Sequence, residues 1–308
     1  MAEATQEEVR VDVDGRTLKL SNLSKVLYPD TGTTKGEVLH YYAQVAPTLL
    51  PHLAGRGVTR IRWPHGTGDQ SFFEKNLPSG APDWLPRVTV TSSGSRGGGD
   101  RISYPFVDSL AGLTYLANLA SLELHVHQWR FGKDGPVNPD RMVIDLDPGH
   151  PASLHECAQV ALLVRDKLSS LGLPCVPVTS GSKGLHLYAP MPGDLTSDQV
   201  RDAARQIAEG LEKSHRSLVT SVMTKTKRPG KVFLDWSQNT AAKTTISPYS
   251  MRGALTPYAA APRTWDEVEE GAEEVGALEQ LTYDVVLRRL AEDGDLFADL
   301  LPTWDVPG

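Results

Sequence analysis

A seven-residue segment, VIDLDPG at residues 143–149, limits what this chain can fold into more than any other feature. Its apolar residues predict a short strand, and Pro148 and Gly149 predict the turn that ends it. Residues two apart in a strand point to the same face, so Asp145 and Asp147 project together. Two like charges repel unless a cation lies between them, and a divalent cation that prefers oxygen ligands does this best. Taken alone, the motif is equally compatible with two surface acids at a strand end.

The composition is that of a globular protein. The 308 residues include 40% hydrophobic and 22% charged side chains, and the length is ample for a buried core. No run approaches the ~18 apolar residues of a membrane span, and the acidic N-terminus is unlike a signal peptide. Cys157 and Cys175 lack the spacing of metal ligands, so we expect reduced thiols in a cytoplasmic protein with no membrane partner.

Charge is distributed unevenly along the chain. The net charge of −7 argues against a nucleic-acid partner at first sight. Residues 264–308, however, hold 13 acids against Arg288 and Arg289, which leaves the rest of the chain at +4. Such a surface is compatible with phosphate contacts. It is also compatible with a neutral surface followed by an acidic pair of helices.

Periodicity and turn signals predict a mixture of helices and strands. We expect a hairpin around Asp14-Gly15 and helices at residues 34–50, 109–119, 153–171, 197–211 and 282–292. Strands are predicted at residues 58–63, 122–131, 143–147, 176–179, 185–189 and 232–236. Pro51 should end the first helix, Ser197 should begin the fourth, and the Gly/Ser-rich residues 92–100 should form a surface loop. No repeat or linker divides the chain, which favours one α/β domain.

A third acid and two loops extend the acidic motif. Asp235, in KVFLDWSQN, ends a second apolar strand. Three acids from two strands typically hold two divalent ions about 3.5–4 Å apart for nucleotidyl transfer. Alone, Asp235 would be interpreted as a capping or surface acid.

The first loop lies in TSGSKGLHLY, at residues 179–188. Its two glycines would let backbone amides approach an anion, and Ser180, Ser182, Lys183 and His186 would add donors. The pattern is like a triphosphate cradle without being a Walker or Rossmann motif, and an isolated loop of this kind is more often a plain turn. The second loop, TKTKRPGK at residues 224–231, includes Arg228. Its basic residues would attract a polyanion toward the acids. Alternatively, the loop is only the solvated tip of a hairpin.

Taken together, these motifs resemble the polymerase domain of bacterial ligase D, in the archaeo-eukaryotic primase–polymerase superfamily. The likeness runs almost end to end and includes LSKVLYP, TGTTK, QSFFEKN, LELHVHQW, KTTISPYSMRG and APRTW. A stand-alone paralogue of that domain is the close alternative. The resemblance implies an α/β fold with a primase–polymerase catalytic core, in which helices flank a mixed central sheet. It implies a single domain over residues 1–308. Within it we expect a DNA-end-binding lobe at about 1–120, the metal and nucleotide site at about 121–255, and an acidic helical segment at about 264–308.

The resemblance also implies roles for particular residues. The ligands of two divalent cations, with Mn²⁺ preferred and Mg²⁺ possible, are Asp145, Asp147 and Asp235. The phosphates of the incoming nucleotide contact Ser180, Ser182, Lys183, His186, Lys243 and Arg252. A DNA 5′-phosphate contacts Asn22, Lys25 and Lys35. Template bases stack on Phe72 and Phe73, and the residues near the primer terminus or metal are His125 and Arg228.

The implied function is template-dependent addition of ribo- or deoxyribonucleotides to DNA 3′ ends, in gap filling and end joining. The implied substrates are gapped or broken DNA with a 5′-phosphate and NTP or dNTP. The implied protein partners are Ku and a DNA ligase. When it is bound to DNA, the protein would associate with the bacterial nucleoid. Two alternatives stay open. One is a metal-dependent nuclease or phosphoesterase that adds His125 and His127 to the acids. The other is a non-catalytic DNA-end-binding module. No K-x-D-G adenylation motif is present, so we expect no ligase activity.

Overall fold

The computed structural model describes residues 8–91 and 101–300. The surface loop predicted at residues 92–100 and the last eight residues of the acidic segment lie outside the described residues. Cys157 and Cys175 are free and buried. No helix of the described part is both long enough and apolar enough to cross a membrane.

Six α-helices lie within the described residues. They are α1 (Lys35–Leu53), α2 (Leu110–Asn118), α3 (Leu154–Ser170), α4 (Ser197–Ser214), α5 (Trp265–Glu273) and α6 (Tyr283–Asp293). The prediction that Pro51 ends the first helix was wrong. Pro51 lies in the last turn of α1, because His52 and Leu53 beyond it are buried and their packing outweighs the missing hydrogen bond. The fourth helix does begin at Ser197, but its N-cap is Thr196, whose hydroxyl accepts from the Gln199 amide.

The strands are mostly short. In chain order they are β1 (Glu8–Val13), β2 (Arg16–Ser21), β3 (Val26–Tyr28), β4 (Thr33–Thr34), β5 (Thr59–Arg62), β6 (Phe72–Glu74), β7 (Arg87–Thr91), β8 (Arg101–Pro105), β9 (Ser121–Val126), β10 (Phe131–Gly132), β11 (Gly135–Pro136), β12 (Arg141–Pro148), β13 (Val176–Thr179), β14 (Leu185–Pro190), β15 (Val219–Thr220), β16 (Val232–Asp235), β17 (Thr245–Ile246), β18 (Tyr258–Ala259), β19 (Ala261–Pro262) and β20 (Leu281–Thr282). β9 ends five residues earlier than predicted, because the His127 and Trp129 rings stack and Phe131 begins a separate hairpin.

The central sheet has six strands in the order β15-β16-β12-β14-β13-β19. Neighbours are antiparallel except for the parallel pair β15 and β16, so the sheet is mixed, as predicted. Alternation along β12 gives the sheet two faces. Met142, Ile144 and Leu146 belong to an apolar cluster with α3 and α4. The carboxylates of β12 therefore point to the opposite face.

A second, antiparallel sheet has the order β17-β9-β5-β6. Its apolar residues form one cluster with α1, α2 and the second face of the central sheet, where Val143 and Tyr188 contribute. The hydroxyl of Tyr188 donates to the carbonyl of Ile246 in β17 at 2.9 Å, which ties the two sheets together. The acids of β12 thus lie on the face of the central sheet that turns toward the second sheet.

Candidate functional site

Strand register brings the three predicted acids together. Asp145 of β12 lies directly opposite Asp235 of β16 on one side and opposite His186 of β14 on the other. Residues paired across antiparallel strands point to the same face. Asp147, two positions further along β12, shares that face. Four of the predicted site residues therefore converge because of backbone pairing alone.

The acids contact neutral and basic side chains. The side-chain amide of Gln238 donates to both Asp145 and Asp235, with each nitrogen–oxygen distance 3.2 Å. The Nε2 of His186 lies 3.4 Å from the Oδ1 of Asp145. The Nη1 of Arg228 lies 3.9 Å from the Oδ2 of Asp147. An amide thus bridges the two strands at the position where the acids face each other.

Burial and neighbouring charges move the pKa values of Asp145 and Asp147 in opposite directions. Burial raises the pKa of Asp145, but the charge and hydrogen bond of His186 and the amide of Gln238 outweigh it and hold that pKa below its usual range. Burial and then the charge of Asp145 raise the pKa of Asp147, against the opposing effects of Lys183, His186 and Arg228. The repulsion between the two carboxylates therefore acts on Asp147, whose pKa it raises in addition to burial.

The three carboxylates are ligands of the kind that a divalent cation prefers, but their side chains are not arranged around a common metal position. In residues 8–91 and 101–300, no group of three or more His, Cys, Asp or Glu side chains is arranged to hold a metal ion. The carboxylates are nevertheless hard-oxygen ligands on one sheet face. Burial and then the charge of Asp145 raise the pKa of Asp147, and a cation between the carboxylates would offset that charge. The Gln238 amide donates to oxygens of Asp145 and Asp235, so a cation held by these acids would take its place.

The loop at residues 180–184 uses its backbone amides internally. The Ser180 hydroxyl accepts from the amides of Ser182 and Gly184, at 3.3 and 3.2 Å, and the Gly181 amide donates to the side-chain oxygen of Gln280 at 2.7 Å. The amides of Gly181, Ser182 and Gly184 are therefore paired within the protein in this conformation, and their contact with an anion stays a prediction. The glycines instead permit close packing, since a Cβ on Gly184 would lie 2.2 Å from the Leu146 carbonyl oxygen.

The remaining predicted nucleotide contacts surround the acids. Lys183 and Ser182 are exposed, and the Nζ of Lys183 donates to the Pro148 carbonyl at 3.3 Å, at the end of the acidic strand. Lys243 lies 3.6 Å from the Oδ2 of Asp235 and contacts the hydroxyl of Ser237. Arg252 packs beside Gly181, where an added Cβ would lie 3.1 Å from the Cβ of Arg252. Basic side chains therefore line the acids on several sides.

Arg228 and His125 are connected to the site through different contacts. The guanidinium of Arg228 lies 3.7 Å above the Phe233 ring, and its Nη2 donates to the Met223 carbonyl at 2.7 Å. The Nε2 of His125 lies 2.7 Å from a carboxylate oxygen of Glu123, and Glu123 also lies 3.4 Å from Arg252. Arg228 is thus at the acids, and His125 is linked to the site through Glu123 and Arg252.

The H-x-H pair does not assemble at the acids. His127 is buried and stacks on Trp129 with 4.4 Å between ring centroids. Burial, followed by the positive charges of Lys75 and Arg56, lowers the pKa of His127 to about 4. This environment gives no support to a nuclease site that uses both histidines as metal ligands.

The predicted 5′-phosphate contacts gather at the start of α1. Asn22 adopts a positive φ of 54°, and its carbonyl accepts from the Lys25 amide at 3.1 Å. Lys35, the first residue of α1, is buried and donates through Nζ to the Ser21 carbonyl at 2.6 Å. Burial and then the charge of Lys25 lower the pKa of Lys35 to about 8. Two lysines and a helix N-terminus therefore concentrate positive charge at one place.

Phe72 and Phe73 lie apart from this cluster, on β6 at the edge of the second sheet. Their exposed fractions are 40% and 60%. Both faces of an edge strand can reach solvent, so neither ring belongs to the core. A pair of adjacent exposed aromatic rings is free to stack on bases.

Three residues that contact the site were not singled out from the sequence. Gln238 follows Asp235 by three positions, so its place in the WSQN motif was the available signal. Glu123 lies in the LELHVHQW motif. Gln280 gave no signal in the sequence, because it lies almost 100 positions from the loop at residues 180–184 that it contacts. Its side chain holds both ends of that loop: Oε1 accepts from the Gly181 amide, and Nε2 donates to the Gly184 carbonyl at 3.0 Å.

Comparison with known proteins agrees with the geometry. The family model "LigD, primase-polymerase domain" matches residues 34–297. The chain is 50% identical over 288 residues to the multifunctional non-homologous end joining DNA repair protein LigD of Mycobacterium tuberculosis, covering 91% of this chain and 36% of that protein. It is 34% identical over 283 residues to the bifunctional LigD of Bacillus subtilis, covering 92% and 44%. The chain thus spans less than half the length of these relatives.

A solved structure matches over nearly the whole described fold. The polymerase domain of Mycobacterium tuberculosis ligase D, in complex with DNA, superposes with a TM-score of 0.87 at 49% identity. The match covers 94% of this chain and 99% of that one. The predicted family and fold class are confirmed by these matches.

Proposed function

Because this chain belongs to the primase-polymerase domain family of ligase D, whose members are DNA-directed nucleotidyltransferases of end joining, we propose that it extends DNA 3′ ends at gaps and breaks. The observation that carries the proposal is the strand register that places Asp145 opposite both Asp235 and His186. The proposed substrates are NTP or dNTP and templated DNA with a 5′-phosphate. We further propose that the protein acts together with Ku and a DNA ligase, and that it associates with the nucleoid in the cytoplasm.

In the proposed reaction, Asp145, Asp147 and Asp235 hold two divalent cations, preferentially Mn²⁺. Such ions activate the attacking 3′-hydroxyl and stabilise the charge that develops on the transferred and leaving phosphates. The side chains of Lys183, Lys243 and Arg252 bind the triphosphate, together with His186, Ser180 and Ser182. They orient the α-phosphate toward the primer terminus, near which Arg228 and His125 lie.

DNA is proposed to contact two further surfaces. Lys25 and Lys35, with Asn22, bind the 5′-phosphate on the far side of the gap. Phe72 and Phe73 stack on template bases. These contacts would set the position of the template relative to the acids.

One assay separates the proposed polymerase from its rivals. A 5′-phosphorylated gapped duplex is incubated with Mn²⁺, with and without nucleoside triphosphates, and the strand lengths are measured. We expect elongation only with nucleotides. Shortened strands without nucleotides would indicate a nuclease, and unchanged strands despite binding would indicate an end-binding module.

The paired substitution Phe72→Ala with Phe73→Ala should weaken templated addition more than binding to intact duplex. Stacking contributes about 1–3 kcal/mol per base and tolerates every base. We therefore expect a loss of roughly 10-fold in kcat/KM that is similar for all four template bases, measured by single-nucleotide incorporation. Phe106→Ala, at an aromatic residue away from β6, is the matched control. A loss confined to one template base would contradict stacking.

Gln280→Ala should raise the KM for nucleotide by up to roughly 30-fold, because two hydrogen bonds of about 1 kcal/mol each hold the loop at residues 180–184. Affinity for gapped DNA should stay unchanged. Gln280→Glu should show the defect at neutral pH and recover as pH falls, because only a protonated carboxyl can donate to the Gly184 carbonyl. Gln199→Ala, which removes a helix-capping contact elsewhere, should leave the KM unchanged. Equal KM values in all variants would show that the loop does not bind nucleotide.

A further inference from the structure

A buried carboxylate on the second sheet joins two residues that belong to the proposed nucleotide and primer contacts. Glu123 of β9 is 5% exposed. Its Oε2 lies 2.7 Å from the Nε2 of His125 and 3.4 Å from the Nη1 of Arg252. Its Oε1 accepts from the Gly253 amide at 3.0 Å. Both carboxylate oxygens are therefore engaged, and they connect β9 to a segment that lies 129 and 130 positions later in the chain.

Glu123 lies on the side of β9 that does not form the apolar core. Leu122, Leu124 and Val126 belong to the apolar cluster that includes residues of α1 and α2. Alternation along a strand places Glu123 and His125 on the opposite face. A carboxylate buried there is costly unless it is paired, so its partners explain its place and core packing does not.

Glu123 is charged at neutral pH in this environment. Burial raises its pKa, but the hydrogen bond of His125 and the charge of Arg252 outweigh burial and hold that pKa below its usual range. Within the described residues, Arg252 forms its ion pair with this carboxylate through one nitrogen, and 26% of the arginine side chain is exposed. The guanidinium is therefore held on one side and open to a ligand on the other.

The backbone that carries Arg252 is fixed by other contacts. The Tyr28 hydroxyl donates to the Arg252 carbonyl at 2.8 Å. The next residue, Gly253, packs so closely on Trp63 that an added Cβ would lie 2.1 Å from a carbon of the Trp63 ring. Because the backbone is fixed, the orientation of the Arg252 side chain is the freedom that Glu123 restricts.

We propose that Glu123 is a positioning residue that orients Arg252 toward the bound triphosphate without touching the nucleotide itself. The inference rests on the proposed function, because that function supplies the contact between Arg252 and the triphosphate. An arginine that is held in place before binding loses less rotamer freedom when the ligand arrives than a free one does. A charge effect alone would have the opposite sign, since a nearby carboxylate repels a triphosphate and its removal would tighten binding.

A double-mutant cycle on nucleotide affinity tests the proposal. The probe is the α,β-methylene analogue of ATP with Mn²⁺, and its Kd is measured without DNA for the wild type, Glu123→Gln, Arg252→Gln and the double variant. We expect Glu123→Gln, which keeps an acceptor for the Gly253 amide, to raise the Kd about 3–10-fold in the wild-type background. In the Arg252→Gln background the same substitution should change the Kd by less than about twofold, because the group that it positions is absent.

Glu74→Gln is the matched control, because it removes a partly buried carboxylate that pairs with Arg60 and Arg62 at the edge of the same sheet. Its Kd should equal that of the wild type even if its Tm falls. If the wild type extends DNA but Glu123→Gln has an unchanged or lower Kd, or raises it equally in both backgrounds, the proposal is overturned and the proposed function stands. A wild type that neither binds the analogue nor extends DNA would overturn both.

Crystals of the wild type with and without the analogue give a reading that needs no variant. We expect the Arg252 guanidinium to keep its place beside Glu123 in both crystals. A guanidinium that turns away from Glu123 when the analogue binds would overturn the proposal.

Discussion

Asp145→Asn is expected to reduce nucleotide addition by at least about 10³-fold, or roughly 4 kcal/mol of transition-state stabilisation. Asp145 is the most buried of the three acids and lies opposite both Asp235 and His186. The substitution keeps the shape of the side chain and removes the charge that the cations need. Single-turnover incorporation on a gapped duplex with Mn²⁺ measures the loss.

DNA affinity should change little in the same variant, because ground-state binding comes mostly from basic contacts with phosphates. Asp147→Asn and Asp235→Asn should behave like Asp145→Asn. Asp166→Asn, at an exposed acid on α3, is the control for a general change in charge. Retention of more than about a tenth of the wild-type rate in one of the three variants would remove that acid from the metal site.

Lys25→Ala and Lys35→Ala, combined, should reduce the preference for a 5′-phosphorylated gap over a 5′-hydroxyl gap by at least about 100-fold. Each hydrogen bond between a charged donor and phosphate contributes about 1.5–3 kcal/mol, which a hydroxyl does not match. Equilibrium binding of the two duplexes measures the ratio. Lys167→Ala, on the exposed side of α3, should leave it unchanged. Equal losses of affinity for both duplexes would show that the 5′-phosphate binds elsewhere.

The same preference should depend on pH. Burial and the charge of Lys25 lower the pKa of Lys35 to about 8, so the free protein loses this positive charge as pH rises through that value. The preference for the 5′-phosphate should therefore be full at pH 7 and fall toward pH 9. In Lys25→Ala the pKa of Lys35 should rise, which moves the decline to higher pH. A flat ratio from pH 7 to 9 in the wild type would contradict a role for Lys35.

Residues that are close in sequence were the easiest to place from the sequence. The alternation in VIDLD placed Asp145 and Asp147 on one face, and Asp235 followed from a second strand of the same kind. The mixed sheet, most helices and the family were also predictable, because each motif carries its own local periodicity. Pro51 was misjudged because the burial of His52 and Leu53, a tertiary effect, overrides the local preference against proline.

Contacts between distant parts of the chain could not be predicted. Gln280 reaches the loop at residues 180–184 only after the chain has passed through α4 and α5, and no local pattern reports that approach. The glycines of that loop were assigned to anion binding, whereas the structure uses Gly184 to let the loop pack against β12. The ion pairs of Asp140 with Arg56 and Arg130 likewise join residues whose spacing along the chain shows no motif.

We propose that this chain copies a template with the three acids of the central sheet. Single-nucleotide incorporation on four 5′-phosphorylated gapped duplexes that differ only in the template base tests it most directly, with the wild type and Asp235→Asn compared. The claim predicts that each template directs its complementary nucleotide, with release of one pyrophosphate per addition, and that Asp235→Asn adds none. Incorporation by Asp235→Asn at the wild-type rate, or addition that ignores the template base, would contradict it.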